Sequence, residues 1–67
     1  MKIQEGDTII LDVERMLVEL EGFNINPNAF AREYVVKKNR HGVLEGVNHS
    51  VEWCYLNLEY FNKFRIL

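Results

Sequence analysis

The stretch that decides the predicted fold runs from Gly42 to Leu67 and reads GVLEGVNHSVEWCYLNLEYFNKFRIL. From Gly42 onward the side chains follow a period of two, in which successive residues point to opposite faces of a strand. The stretch is also rich in valine and aromatic residues, which fit a pleated, half-buried surface. Two runs carry the alternation, 42–48 and 51–57, and the polar residues 48–50 have the composition of a turn. The pattern therefore predicts a β-hairpin.

The residues on either side of this hairpin extend it to an antiparallel sheet. Residues 58–61 (LEYF) predict a single tight helical turn, and residues 63–67 predict a last strand that returns to pair near the first. Near the start of the chain, the turn Gly6-Asp7 leads into a short apolar run, which predicts a strand at 8–11. Together with the hairpin, these strands predict a small antiparallel barrel or a curled sheet.

A first helix is predicted at 13–21 by local signals. Asp12 is a suitable N-cap residue, and Gly22 stands where a helix ends. The apolar residues between them recur at i, i+3, i+4 and i+7, which is the spacing of one helix face. These residues are Val13, Met16, Leu17 and Leu20.

A second helix is predicted at 27–39, although the pattern there has two interpretations. Asn26 can cap a helix, and Pro27 has the backbone angle of the first helical position. However, Phe30, Tyr34 and Val36 also fit the period of a strand. The cap and the proline favour the helix, and the sequence leaves residues 30–38 open between helix and strand.

Three parts of the chain resemble a Src-homology-3-like small β-barrel. Residues 6–11 (GDTIIL) resemble the first strand of such domains, and residues 39–47 (NRHGVLEGV) resemble the turn and valine strand of bacterial ribosomal and transcription-factor versions. Residues 55–61 and 64–67 resemble the strand, one-turn helix and closing strand. Between the first two parts the chain looks helical, where the family has a loop or hairpin.

This resemblance implies an α+β domain, in which a Src-homology-3-like barrel carries a helical insertion, in the style of small bacterial or phage proteins. Such barrels work by binding. The proline-peptide groove of the eukaryotic members requires an aromatic and proline pattern that this sequence lacks, so no binding residue is carried over from the family.

Length and composition bound the class of protein. The chain has 67 residues, which is enough for a single domain (1–67) with a thin core. Its net charge is −2, and 48% of its residues are hydrophobic, which is ample for folding. No apolar run approaches the roughly 20 residues of a membrane-spanning helix. The single cysteine, Cys54, excludes an internal disulfide, so we expect a cytoplasmic protein without membrane association.

The sequence contains no motif for catalysis or for a metal site. Cys54 lies between Trp53 and Tyr55, where a lone cysteine is typically a small apolar residue. His41 and His49 lie in predicted turns and lack a third metal ligand. We therefore expect a protein that is not an enzyme, with no catalytic residue, no metal and no cofactor.

Aromatic side chains are the leading candidates for a binding surface. A thin core cannot bury every aromatic ring of the last third, and exposed tryptophan and tyrosine are favoured anchors of protein interfaces. We expect Trp53, Tyr55 and Tyr60 to contact a partner. The leading hypothesis is a non-enzymatic protein-binding module, such as a phage or mobile-element factor that modulates a host protein, and a homodimer is compatible with it.

The alternative is a nucleic-acid-binding barrel. Four cations fall within a short segment, and a basic patch of this kind can contact backbone phosphates. We expect this function, if present, to use Arg32, Lys37, Lys38, Arg40 and His41. Four cations give only weak, salt-sensitive binding, and the rest of the chain is acidic.

Overall fold

A four-stranded antiparallel sheet forms the centre of the protein. The computed structural model describes residues 2–67, so Met1 lies outside the described residues. The strands are β1 (Thr8–Ile10), β2 (Glu33–Lys38), β3 (Leu44–Val47) and β4 (Tyr55–Asn57), and they lie side by side in chain order as a meander. The sheet is not closed into a barrel and not strongly curled, so the antiparallel sheet is confirmed but neither the predicted barrel nor the predicted curled sheet forms. The α+β class is confirmed.

Two short α-helices accompany the sheet. The first, α1 (Val13–Glu19), begins at Asp12, whose side chain accepts a hydrogen bond from the backbone N–H of Arg15. The predicted helix at 13–21 is thus confirmed with an earlier end, because the chain tightens into a 3-10 turn at Glu21–Phe23. The second, α2 (Leu58–Phe61), is the single helical turn predicted after the hairpin.

The helix predicted at 27–39 is wrong. Asn26 and Pro27 do start a helical turn, but it is a 3-10 turn that ends at Ala29. The chain then becomes extended and enters β2, where Tyr34 and Val36 are buried while Glu33 and Lys37 are exposed. Pairing with both β1 and β3 satisfies the backbone hydrogen bonds of β2, and this outweighs the local capping signal.

The predicted hairpin exists, but its strands are shorter and its turn is longer. The sequence predicted strands at 42–48 and 51–57, whereas the strands are Leu44–Val47 and Tyr55–Asn57, and within the hairpin only residues 45–47 pair with 55–57. The connecting loop runs over residues 48–54 and is closed by a hydrogen bond from the Asn48 N–H to the Cys54 carbonyl at 2.9 Å. Trp53 therefore lies in a loop and not in a strand, because its N–H donates to the carbonyl of Ala29 instead of to β3.

The closing segment returns to the first strand without forming a strand of its own. The strand predicted at 63–67 is replaced by a 3-10 turn at Asn62–Phe64 and a single bridge from Arg65 to Leu11. The N–H of Ile66 donates to the carbonyl of Ile10 at 2.9 Å. Because a single bridge does not make a ladder between strands, the sheet stays open.

One face of the sheet carries the core. The inward side chains of the strands pack against those of the helices and the closing segment, and the fully buried members are Ile9, Leu11, Met16, Tyr34, Val36, Leu56 and Phe64. Gly46 lies in the middle of this face, where a Cβ atom would stand 3.1 Å from the Cβ of Tyr34. The opposite face of the sheet, the outer face, is open to solvent, with Thr8, Lys37 and Tyr55 exposed. Among residues 2–67, no helix is long and apolar enough to cross a membrane.

Candidate functional site

The side chain of Tyr34 holds the loop that carries Trp53. Tyr34 is 1% exposed, and its hydroxyl donates a hydrogen bond to the carbonyl of Trp53 at 3.1 Å. The same hydroxyl accepts a hydrogen bond from the N–H of Ala31 at 3.0 Å. A further backbone hydrogen bond runs from the N–H of Trp53 to the carbonyl of Ala29 at 2.9 Å. Trp53 is thereby fixed against the segment that leads into β2, although it lies in a loop.

The environment of this hydroxyl favours its protonated form. Burial raises the pKa of Tyr34 above the ordinary tyrosine value of 10.0, and the nearby Cys54 adds to the increase. The hydrogen bond from Ala31 opposes these effects without cancelling them. A protonated hydroxyl is required here, because only the neutral phenol can donate to the Trp53 carbonyl.

Trp53 belongs to a surface cluster of aromatic rings. Its indole stacks on Phe30 with the ring centres 5.3 Å apart and the planes 12° from parallel. Phe30 also lies 6.2 Å from Phe61, which in turn meets Tyr60 edge-on at 5.0 Å. These separations are within the range in which aromatic pairs attract one another.

The cluster borders an open, mostly apolar depression that we call the aromatic groove. Its volume is about 340 Å³, and it is lined by Leu20, Phe23, Ile25, Phe30, Trp53, Tyr60 and Phe61. Trp53 and Tyr60 are each 45% exposed, so two of the three predicted partner-binding residues meet at one surface. The aromatic groove is therefore where the predicted binding residues come closest to forming a site.

Phe23 is a groove residue that the sequence reasoning missed. It is 73% exposed and sits at the end of the 3-10 turn Glu21–Phe23. Asn24 follows in the left-handed conformation with φ at 53°, which reverses the chain after the ring. The one sequence signal was an aromatic residue directly after Gly22, where the periodic apolar stripe of α1 has already ended.

Charged residues adjoin the groove residues in the chain. The ammonium of Lys63 lies over the ring of Tyr60, 4.4 Å from its centre, at a distance that permits a cation–π contact. The carboxylates of Glu21, Glu52 and Glu59 are exposed, and each is at most two residues from a groove residue in the chain. Acidic side chains thus outnumber basic ones among these neighbours.

Tyr55, the third predicted partner-binding residue, lies elsewhere. It pairs with Val47 on the outer face of the sheet, where it is 54% exposed. The imidazole of His49 meets its ring edge-on at 5.5 Å. The three predicted partner-binding residues therefore do not form one surface, because Tyr55 lies on the outer face of the sheet whereas Trp53 lies in the loop at the aromatic groove.

The residues of the predicted basic segment also lie in different places. Arg32 forms an ion pair with Glu14 at the start of α1, which removes it from the group. Lys37, Lys38 and Arg40 instead border a depression of about 610 Å³ on the outer face, together with Asn39, Glu45, Val47, His49 and Tyr55. We call this depression the outer groove. His41 lies in the turn between β2 and β3, outside the lining of this groove.

The remaining reactive side chains do not converge. Cys54 is half-buried and free, and its carbonyl closes the loop 48–54. Within residues 2–67, histidine, cysteine and acidic side chains form no group of three that could hold a metal ion. Among the described residues, neither groove therefore contains such a group of potential metal ligands.

Comparison with known proteins found no family model, no curated protein and no solved structure that matches this chain.

Proposed function

We propose that this chain is a protein-binding module that docks through the aromatic groove. The observation that carries the proposal is the exposure of Trp53, Tyr60 and Phe23 around one apolar depression. Contiguous exposed apolar surface of this kind marks interaction sites in folded proteins. Tryptophan and tyrosine are also the residues that most often dominate the binding energy of an interface.

The rigidity of the groove supports the same function. Trp53 is stacked on Phe30 and its backbone is hydrogen-bonded on both sides, so its ring is held before any partner arrives. A side chain that is already ordered loses little rotamer entropy on binding. The stacked indole is therefore a pre-organised anchor.

The charges around the groove indicate the chemistry of the partner. Glu21 and Glu52 are exposed and directly adjoin the groove residues Leu20 and Trp53 in the chain, and Lys63 lies over the ring of Tyr60. A complementary partner presents apolar side chains to the groove and basic side chains to these exposed carboxylates. We propose that the occupant is a short amphipathic segment of another protein, with lysine or arginine beside its apolar anchors.

Selection from a displayed library of random peptides tests this proposal. Immobilised protein should enrich peptides that combine apolar anchors with lysine or arginine. Trp53→Ala should lower the affinity for an enriched peptide by at least about 30-fold, the loss expected for a dominant interface residue. Tyr55→Ala is the matched control, because it removes an equally exposed ring outside the aromatic groove.

Three outcomes would contradict the proposal. One is the absence of any enriched peptide, and another is enrichment of peptides that bind Trp53→Ala as tightly as the unaltered protein. The third is a dimer in sedimentation experiments that Trp53→Ala converts to a monomer, because a second copy would then occupy the groove. Circular dichroism of Trp53→Ala must match that of the unaltered protein for the comparison to hold.

We further propose that the chain is an open variant of the Src-homology-3-like barrel. The supporting features are the consecutive β2–β3–β4 meander, the helical turns after β4, and the return of Arg65 to Leu11. Hydrogen exchange tests this connectivity, since the amides of Asp12 and Ile66 should exchange slowly while those at the tip of the loop 48–54 exchange fast. Fast exchange at Ile66 would contradict it.

A further inference from the structure

The outer groove combines cations with exposed rings. Lys37 lies on the outer face of β2, and Arg40 follows in the turn to β3. Among residues 2–67, ion pairs join Arg15 to Glu19 and Arg32 to Glu14, and neither Lys37, Lys38 nor Arg40 takes part in one. These three cations are thus available to an anionic ligand.

The aromatic rings of the outer groove lie beside a buried residue of the sheet. Val47 is 7% exposed although it lies outside the main core cluster, so the groove has a packed floor of its own. Tyr55 pairs with Val47 across the strands, and its ring and the imidazole of His49 form a T-shaped pair with their centres 5.5 Å apart. The Tyr55 ring is more than half exposed and lines the same groove as the cations.

We infer that the outer groove binds single-stranded nucleic acid. An exposed aromatic face beside a positively charged groove is the arrangement on which unpaired bases stack while cations hold their phosphates. Tyr55 would stack on a base, and Lys37 and Arg40 would contact the flanking phosphates. This site differs from the basic segment predicted from sequence, since it excludes Arg32 and His41 and includes two rings.

Glu45 sets the strength of this binding. It pairs with Lys37 across β2 and β3 and, among residues 2–67, is the single carboxylate that lines the outer groove. Its charge opposes that of an approaching phosphate. With three cations, the affinity for a single strand should fall with a logarithmic salt slope of about −2, which is about 100-fold for a tenfold increase in salt.

Fluorescence anisotropy with labelled oligo(dT) and oligo(U) of about 15 nucleotides tests the inference. We expect binding to both at low salt, and a difference between them would identify the preferred sugar. Tyr55→Ala should weaken binding about tenfold or more, which is the size of a lost base–aromatic stack. Lys37→Gln with Arg40→Gln should weaken it and flatten the salt dependence.

Three further variants distinguish binding in the outer groove from binding elsewhere on the protein. Arg32→Gln removes a cation that is already paired, and Trp53→Ala disturbs only the aromatic groove, so neither should change oligonucleotide binding. Glu45→Gln removes the opposing charge and should tighten binding severalfold, a gain that misfolding cannot produce. No binding at low salt, or equal binding by Tyr55→Ala, or no gain with Glu45→Gln, would overturn the inference.

Discussion

The aromatic groove and the outer groove each take an aromatic ring from the same short segment, yet they differ in character. Trp53 belongs to the first and Tyr55 to the second, only two residues away. The aromatic groove is apolar, and its residue Trp53 is hydrogen-bonded to the buried Tyr34. The outer groove carries basic side chains and lies on the solvent-facing side of the sheet. Because Trp53 lies in a loop and Tyr55 lies in a strand, these two neighbouring rings contribute to separate surfaces.

A methyl group added at Gly46 should disturb the aromatic groove more than the outer groove. Gly46→Ala places its Cβ 3.1 Å from the Cβ of Tyr34, which the β2 backbone holds in place. Overpacking of this kind costs about 1–3 kcal/mol of unfolding free energy, which urea denaturation can measure. Displacement of Tyr34 should also weaken the anchoring of Trp53.

Gly22→Ala is the matched control for this substitution. A Cβ at Gly22 meets no other atom within 4 Å, so the stability of this variant should be unchanged or slightly raised. Equal stability of Gly46→Ala and Gly22→Ala would contradict the close packing of β3 against Tyr34.

Removal of the Tyr34 hydroxyl should weaken binding at the aromatic groove without affecting binding at the outer groove. Tyr34→Phe keeps the ring in the core but leaves the N–H of Ala31 and the carbonyl of Trp53 without their partner. The expected loss is about 1–2 kcal/mol in urea denaturation, together with weaker peptide binding. Oligonucleotide binding should be unchanged. Tyr55→Phe, which loses an exposed hydroxyl, should show no comparable loss of stability.

The raised pKa of Tyr34 makes stability depend on pH in the alkaline range. The unfolded chain releases this proton near the ordinary value of 10.0, whereas the folded protein retains it to higher pH. The folded state therefore binds more protons in this interval, and its stability falls as pH rises above 10 through the raised pKa of the folded state. Urea midpoints across this range should fall less steeply for Tyr34→Phe; an identical fall would contradict the role of the buried hydroxyl.

Loss of the ion pair between Arg32 and Glu14 should have the smallest effect on stability and on binding. Both side chains are more than 60% exposed, and such surface pairs contribute no more than about 1 kcal/mol. Arg32→Gln should shift the urea midpoint slightly and leave both binding activities unaltered. A large loss of peptide binding or oligonucleotide binding would contradict this expectation, because it would mean that Arg32 takes part in binding despite its ion pair with Glu14.

Local signals predicted the elements that depend on local contacts. Asp12 caps α1 as expected, and the apolar stripe that begins at Val13 faces the core. The single turn at 58–61 was also predicted, because Asn57 and its neighbours form it without distant partners. These elements are determined within a few residues of the chain.

The errors arose where distant contacts decide the structure. Residues 33–38 became a strand because β1 and β3 pair with both of its edges. The loop 48–54 left the sheet because Trp53 bonds to Ala29 and to the hydroxyl of Tyr34. Periodicity alone cannot reveal such partners, so the sequence named Trp53, Tyr55 and Tyr60 as candidates without showing that they lie on two surfaces.

Fluorescence of Trp53 tests the separation of the two grooves most directly. It is the single tryptophan of the chain and lies half-exposed in the aromatic groove, so its emission reports occupation of that groove. Titration with a selected peptide should shift its emission to shorter wavelength, and titration with oligo(dT) should leave it unchanged. An unchanged spectrum with saturating peptide, or an equal shift with both ligands, would contradict the account.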